Sequence, residues 1–469
     1  MLFNSGAFVV LAVTTFVFYY LPIARKWQLS ILIISSLTFY AYNQPDLLTL
    51  LLLSVSLNIV ASYLVVYGSP SRQKFHATWG VVGNLLILLF FKYSPLIGGT
   101  FFGSYNPVGS FLMSIPLPIG ISFFTFQGIS LVIDTYTARD KSEFRSYIAR
   151  NLYQHAERVL FFKAFFPQLV SGPIVKAHYF LPQIQPKYLK DIRWEYCFRT
   201  LVMGYFLKMV IADNLKDHTA YIAYPFFESF SSLTLVALLF GYSMQIFADF
   251  AGYSLIALGF AGLFGYQFPT NFNYPYIAAS FSDFWRRWHI SLSSFLREYL
   301  YIPLGGNRKG PLRTYANLMI TMVLGGLWHG AAWSYAIWGL AHGLALALER
   351  LLSDKVRSPL LRLHPVLKGT MVFCFVSLAW LLFKLPEFNQ ALAYLRAIAT
   401  NTHRPHDGLI ISFIMIYSTP VVLYHFRALV RERVASYDQP RWDYALYGFL
   451  LFLIITNSGS SDSFIYFQF

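Results

Sequence analysis

The sequence predicts an all-α membrane protein with many membrane-spanning helices, and three observations support this fold class. Of the 469 residues, 56% are hydrophobic and only 12% are charged, whereas a soluble domain carries about 25% charged residues. Apolar runs of about 20 residues, the length that crosses a bilayer, recur along the whole chain. Lys and Arg collect between these runs, as they do in loops on the cytoplasmic side of a membrane.

The net charge of +15 is explained by those loops, because no basic region stands apart from the apolar runs. The bilayer is therefore a predicted partner and a nucleic acid is not. Cys197 and Cys374 lie in apolar segments and form no disulfide framework or metal-binding spacing. His403 and His406 lie in a polar turn without a third ligand nearby, so no metal site is predicted.

The first apolar run has no positive charge before it and is followed by Arg25 and Lys26. A cleavable signal peptide has the opposite pattern, so we expect a first span with its N-terminus outside. The candidate spans, in chain order, are 7–24, 28–43, 47–67, 78–97, 118–135, 197–213, 232–248, 252–266, 314–349, 367–385, 409–425 and 443–456.

All basic loops can lie inside through the fifth span, but strict alternation fails between 197 and 313. The runs 232–248 and 252–266 cannot both cross if 267–313 is to stay inside. We therefore expect a re-entrant or broken segment here, which is tolerated only where it is buried in protein or lines a wet cavity. The region 245–333 is the predicted location of the functional site.

The stretch from Asp283 to Leu304 has helical spacing of its apolar residues and is predicted to lie in the membrane interface as one helix. His289 lies on neither face of that helix cleanly. The following turn, GGNRKG, is rich in glycine and positive charge and could bind phosphates. The alternative is an ordinary cytoplasmic loop before a span.

His329 stands in the uncharged run LGGLWHGAAW, where burying an imidazole is costly unless it has partners or a function. The glycines on either side allow another backbone or a substrate to come close. If 314–349 is one helix, His342 lies on a different face of it, about 220° away. Asp249 either fixes the fold by pairing with an arginine or lines a cavity, and Gln245 lies on the same helical face.

The chain resembles the membrane-bound O-acyltransferase superfamily, in particular its bacterial branch of alginate O-acetyltransferases. The motifs that carry the resemblance are PLPIGISFFTFQGISLVIDTY (116–136), FFPQLVSGPI (165–174), QIFADFAGYSLIALGFAGLFGY (245–266), NFNYPYIAASFSDFWRRWHISLSSFLREYLYIPLGGNRKG (271–310), LGGLWHGAAW (324–333) and FIYFQF (464–469). The resemblance implies one membrane domain over 1–469, with about eleven spans and additional re-entrant helices around a tunnel. It also implies that His329 and His289 are the catalytic histidines. The residues predicted to bind substrates are Arg297, Asn307, Arg308, Lys309, Gln245, Asp249 and Trp328.

The expected activity is transfer of an acetyl group from a cytoplasmic thioester, acetyl-CoA, for O-acetylation of an exopolysaccharide such as alginate or cellulose. The resemblance places this activity in the inner membrane of a bacterium, with no bound cofactor. Its expected partners are periplasmic acetyl-transfer proteins and a polysaccharide synthase complex. The alternatives are acetylation of peptidoglycan, D-alanylation of teichoic acid, and transport of an acylated intermediate.

Overall fold

A computed structural model describes residues 1–42, 45–138, 142–169, 172–355, 364–385, 387–433 and 440–460. These residues form helices and turns without a β-strand. The FIYFQF motif, Arg139, Val170 and Ser171 of the predicted motifs and loops, and residues 356–363 of a basic loop lie outside the described residues.

The chain divides into two compact units, Met1–Leu201 with Ile256–Pro269, and Val202–Leu255 with Thr270–Phe469. The single membrane domain over 1–469 stays a prediction, and each unit is described by itself. The α-helices are α1 (Gly6–Tyr20), α2 (Gln28–Ala41), α3 (Leu48–Tyr67), α4 (Gln73–Leu88), α5 (Ser94–Ile97), α6 (Pro107–Ser114), α7 (Ile121–Thr137), α8 (Ser142–Tyr147), α9 (Leu152–Ala164), α10 (Phe166–Leu169), α11 (Ala177–Phe180), α12 (Trp194–Tyr205), α13 (Asp213–Thr219), α14 (Ser232–Leu263), α15 (Phe281–Arg287), α16 (Ile290–Leu296), α17 (Pro311–His329), α18 (Trp333–Lys355), α19 (Pro365–Ala379), α20 (Leu381–Lys384), α21 (Phe388–Thr400), α22 (Gly408–Arg433) and α23 (Pro440–Thr456).

The described helices confirm the all-α, multi-span fold class. Within the described residues, five helical stretches are long and apolar enough to cross a membrane, and α1 and the stretch Pro22–Ala41 form a further apolar pair that is bent by 102° between Tyr20 and Pro22. The five stretches are Pro45–Tyr67, Pro70–Phe102, Ser232–Leu263, Pro365–Lys384 and Gly408–Val430. Other predicted spans fall on shorter or interrupted helices. One is α7, and another is the stretch in which a π-helical segment joins α12 to α13.

The first unit is held together by polar contacts between apolar helices. Asn58 on α3 and Asn84 on α4 exchange two side-chain hydrogen bonds of 3.0 and 2.9 Å. Lys163 on α9 donates to the carbonyl and hydroxyl oxygens of Ser54 at 3.1 and 2.7 Å. Because buried polar groups must find partners, these pairs fix how the helices pack.

The structure differs from the prediction over the two candidate spans 232–248 and 252–266. Both runs, as far as Leu263, belong to the continuous 32-residue helix α14, so the prediction of two separate spans was wrong, whereas a broken segment within 197–313 is found at Trp288 and His289. A single helix in place of two crossings also removes the conflict with the basic loops that follow. Asp249, which lies where the two runs meet, has a buried cationic partner in the second unit.

Two breaks occur where continuous helices were expected. The predicted interfacial helix of 283–304 is divided at Trp288 and His289 into α15 and α16, and continues as a π-helical segment over Arg297–Tyr301. The predicted span 314–349 is divided into α17 and α18, which pack against each other as a helical hairpin. Both breaks place a histidine at the end of a helix.

Candidate active site

The break at His289 puts this residue in a backbone conformation that non-glycine residues rarely adopt. His289 has φ 42° and ψ 54° in the left-handed region. The turn is held by Asn271, whose carbonyl oxygen accepts from the Ile290 N–H at 2.9 Å and whose side-chain oxygen accepts from the Ser291 hydroxyl at 2.6 Å. Strained backbone held by its surroundings is frequent at functional sites.

The imidazole of His289 is fully buried among rings. The ring of Phe250 on α14 meets it edge to face, with centroids 4.6 Å apart. Burial lowers the pKa of His289 to about 3, because the charged form loses its hydration. The imidazole is therefore neutral near pH 7 and is a weak proton acceptor there.

His329 is the last residue of α17, and the chain turns at Gly330 toward α18. A Cβ atom on Gly330 would overlap the ring of Tyr335, and one on Gly326 would overlap the Tyr335 carbonyl oxygen. The glycines around His329 therefore allow the backbone of α18 to come close, one of the two roles expected for them. The close approach fixes where α17 ends and where His329 is presented.

The structure brings the two predicted catalytic histidines together. The ring centroids of His289 and His329 are 6.0 Å apart. Trp328 contacts both, with centroids 5.7 Å from His289 and 5.1 Å from His329. The predicted substrate-binding residue Trp328 thus lies beside both imidazoles. His329 also meets the rings of Trp338 and Phe383 at 5.3 and 5.2 Å.

A cavity of about 190 Å³ runs from this histidine along one face of α17. The residues of α17 that line it recur at helical spacing, and they are Leu318, Thr321, Met322, Gly325 and His329. The eleven helical steps from Leu318 to His329 correspond to about 16 Å along the helix axis. The opposite wall comes mainly from α16 and the π-helical segment after it, together with Trp285 and Trp338. The site is thus a mostly apolar cavity with an imidazole at one end of its α17 wall.

Four of the seven predicted substrate-binding residues lie in the segment 297–309. Arg297 lines the cavity, whereas Asn307, Arg308 and Lys309 are exposed in the turn that precedes α17. That turn is attached to the helix by Asn317, whose side-chain amide donates to the Gly306 carbonyl at 2.9 Å. The basic turn therefore lies next to the N-terminal end of the helix that carries His329 at its other end.

Gln245 and Asp249 are not among the residues that line the cavity. Asp249 forms a 2.7 Å ion pair with Lys208, which also pairs with Asp213 at 2.6 Å, and all three side chains are buried. The partner is a lysine and not the arginine that the sequence suggested. Gln245 accepts a hydrogen bond of 2.5 Å from Thr219. Both residues thus join α14 to the stretch from α12 to α13.

The prediction of one helix over 314–349, from which the position of His342 was derived, was wrong. His342 lies on α18 and is fully buried, with its ring centroid 4.6 Å from that of Trp338 and 5.2 Å from that of Trp285. Both of these tryptophans line the cavity, and Trp338 also contacts His329. His342 therefore supports the wall of the cavity from behind.

Sequence reasoning did not single out Lys208, Trp285 or Trp338. Lys208 could have been found, because a lysine inside an apolar run requires a buried partner. The tryptophans gave no such signal, since aromatic residues make up 19% of the chain. Their position at the cavity depends on the α17–α18 hairpin.

Comparison with known proteins gives the family. The model of the membrane-bound O-acyltransferase family matches residues 101–385. The chain is 35% identical to the peptidoglycan O-acetyltransferase of Helicobacter pylori, over 78% of this chain and 73% of that protein. It is 37% identical to the probable alginate O-acetylase of Pseudomonas aeruginosa, over 83% of this chain and 73% of that protein. The teichoic acid D-alanyltransferase of Bacillus subtilis is 26% identical, over 69% of this chain and 80% of that protein.

The chain belongs to the membrane-bound O-acyltransferase family, and it is a multi-pass membrane acyltransferase. The histidine roles and the substrate contacts stay predictions.

Proposed function

We propose that this protein transfers an acetyl group from acetyl-CoA, on the cytoplasmic side of a bacterial inner membrane, for O-acetylation of an exopolysaccharide outside. The observation that carries the proposal is the 190 Å³ cavity, which extends from His329 to Arg297 beside a basic turn. Its walls are largely apolar, and its volume is small. They suit a thioester arm with a small acyl group better than a whole nucleotide or sugar.

His329 acts as the general base in this proposal. The acceptor hydroxyl gives its proton to the imidazole while its oxygen bonds to the thioester carbonyl carbon. The carbon–sulfur bond then breaks, and the imidazolium returns the proton to the departing sulfur, which leaves as the CoA thiol. His289 is neutral and strained, so its role is to position Trp328 and His329, with which its ring is in contact.

The donor phosphates are assigned to the turn that contains Asn307, Arg308 and Lys309. These side chains are exposed beside the N-terminus of α17, where point charges and backbone N–H groups favour phosphate. The arm of CoA then enters past Arg297 and follows α17 toward His329. No cofactor is needed beyond this co-substrate.

Similarity to known enzymes supports acetyl as the acyl group and leaves more than one acceptor. Relatives at 35% and 37% identity are named as acetylases of peptidoglycan and of alginate. An exopolysaccharide, acetylated directly or through periplasmic carrier proteins and a synthase complex, is the first acceptor proposed. Peptidoglycan is the second, because the Helicobacter pylori relative is similar over nearly as much of the chain.

The donor assignment is tested with purified full-length protein in nanodiscs and acetyl-CoA labelled in the acetyl group. Replacing Arg308 and Lys309 by alanine should raise the KM for acetyl-CoA by about tenfold with little change in kcat, since two phosphate contacts are lost. The double replacement of Arg72 and Lys74, which are exposed at the start of α4, is the matched control. An unchanged KM would show that the phosphates bind elsewhere.

The acceptor is tested by deleting the gene and measuring acyl groups on each surface polymer by NMR. Loss of acetyl from the exopolysaccharide alone supports the first acceptor, and loss from peptidoglycan alone supports the second. Loss of D-alanine from teichoic acid, or unchanged acylation of every polymer, would contradict the proposal.

A further inference from the structure

The first unit contains a larger and more polar cavity than the one beside His329. It encloses about 510 Å³ between the turn Pro22–Trp27, α9 and the segment 184–186. No motif points to this cavity, and the proposed function makes no use of it. Its lining is rich in groups that donate hydrogen bonds or carry positive charge.

Three cations and one carboxylate line the cavity. Arg25, Lys26 and Arg158 supply the positive charge, and Glu157 is the only acidic residue among the lining side chains that the structure describes. Glu157 accepts a hydrogen bond of 3.2 Å from Ser30. The surplus of positive charge favours an anionic ligand, and two arginines favour one with several oxygen atoms, such as a phosphate.

The floor of this cavity is a fixed structure. The side-chain amide of Gln28 donates to the carbonyl oxygens of Tyr19 and Lys187 at 3.1 and 2.9 Å, and its oxygen accepts from the Lys187 N–H at 3.0 Å. Arg158 donates to the Tyr147 carbonyl at 3.1 Å, which holds its guanidinium in place. The basic groups are therefore arranged around a cavity with buried, satisfied supports.

The setting of the cavity indicates where its ligand comes from. Ile23 and Trp27 flank the two basic residues of the turn, with 86% and 57% of their surfaces exposed. An exposed tryptophan beside lysine and arginine is typical of the level of the lipid headgroups. The charge pattern places this turn on the cytoplasmic side, where the leaflet is negatively charged.

We propose that this cavity binds the phosphate headgroup of an anionic phospholipid from the cytoplasmic leaflet, with the acyl chains lying against Ile23 and Trp27. The phosphate accepts hydrogen bonds from Arg25, Lys26 and Arg158. The inference is independent of the proposed acyl donor and acceptor, because none of its residues belongs to the candidate active site.

The test uses native mass spectrometry of the full-length protein, released from nanodiscs that contain phosphatidylcholine with phosphatidylglycerol or cardiolipin. The double variant Arg25→Gln/Lys26→Gln should retain anionic lipid about tenfold less than the wild type, since each cation near the surface contributes appreciably to lipid affinity. Arg72→Gln/Lys74→Gln, which removes the same charge from the exposed start of α4, should retain anionic lipid normally. Both variants change exposed side chains, so their insertion and thermal stability should match the wild type.

A second arm separates lipid from soluble phosphate. Inorganic phosphate and CoA are titrated against the protein in neutral detergent without anionic lipid. Binding of either that depends on Arg25 and Lys26 would assign the cavity to a soluble ligand and overturn the lipid assignment. Equal retention of anionic lipid by the two double variants would overturn it as well.

Discussion

His289 and His329 differ in how the backbone holds them, and this difference separates their expected roles. His329 is the last residue of a helix and lines the cavity, whereas His289 lies in a left-handed turn and is fully buried. A group that takes a proton from a substrate must be reachable from the cavity. His329 meets this requirement, and His289 is placed to support it.

His329→Ala should reduce acetyl transfer by about 10²–10⁴-fold, the usual contribution of a general acid–base group. The protein should still fold and insert, because α18 packs against the glycines and not against the imidazole alone. His403→Ala, which removes an exposed imidazole from a turn elsewhere in the second unit, is the control. Acetyl transfer and membrane abundance are measured together. Near-normal transfer at normal abundance would rule out the proposed base.

Two variants of His289 separate the effect of backbone strain from that of the imidazole. Both His289→Asn and His289→Ala should impair transfer and leave a measurable residual rate. The alanine variant should also be less stable by roughly 1 kcal/mol, because Asn enters the left-handed region more easily than Ala. Thermal unfolding in detergent measures this difference in stability. Equal stability of the two variants would show that the strained turn relaxes when the imidazole is removed.

His342 is expected to act through the tryptophans that it supports. His342→Ala leaves a space behind Trp338 and should lower kcat by about tenfold, since small displacements at a reactive group are costly. His342→Phe keeps a ring against Trp338 and should retain most of the activity. If the phenylalanine variant is as impaired as the alanine variant, the imidazole nitrogens themselves are required.

The two histidines could be selected from the sequence, but their backbone conformations could not be predicted from it. An imidazole in an apolar run is a visible anomaly, so His329 could be selected directly. The turn at His289 could not be predicted, because 283–304 fits a single amphipathic helix. Its break depends on Asn271, which is distant in sequence from Ile290 and Ser291 but bonds to both.

The hairpin of α17 and α18 is the element on which the cavity depends. Gly326→Ala should prevent the two helices from approaching and reduce folded protein in the membrane severalfold, since the added Cβ meets the backbone of Tyr335. Gly448→Ala on α23 meets nothing and serves as the matched control. Size-exclusion profiles of the two variants give the comparison. A monodisperse Gly326→Ala variant at normal yield would contradict a packing role for this glycine.

Helix boundaries were predicted well where the local composition determines them. They were predicted poorly where they depend on a contact with a residue that is distant in sequence. The sequence predicts two spans within 232–266 that meet near Asp249, whose carboxylate is costly inside a span unless it is paired. Lys208 neutralises it from another helix, and α14 continues through the position. The end of α17 escaped prediction for a related reason, since no proline or charge marks it.

The whole chain has a predicted orientation that thiol labelling can test. In a Cys374→Ser background, Arg308→Cys should react with a membrane-impermeant maleimide only after the cells are opened. Thr402→Cys, in the turn after α21, should react in intact spheroplasts. Both positions are exposed, so a lack of labelling reflects sidedness. Labelling of Arg308→Cys from outside would reverse the proposed donor side.

The length of α14 affects how the molecule fits its bilayer. Its 32 residues extend about 48 Å, well beyond the roughly 30 Å of the hydrocarbon layer. Most of its apolar window, 78%, is buried inside protein, so lipid does not set its length. Hydrophobic mismatch is instead met by helices with little protein cover, such as Gly408–Val430 with 28% of its apolar window buried, by tilting or by thinning the bilayer. Membrane thickness thus becomes a variable that acts on this acyltransferase through its lipid-facing helices, while α14 keeps its own length.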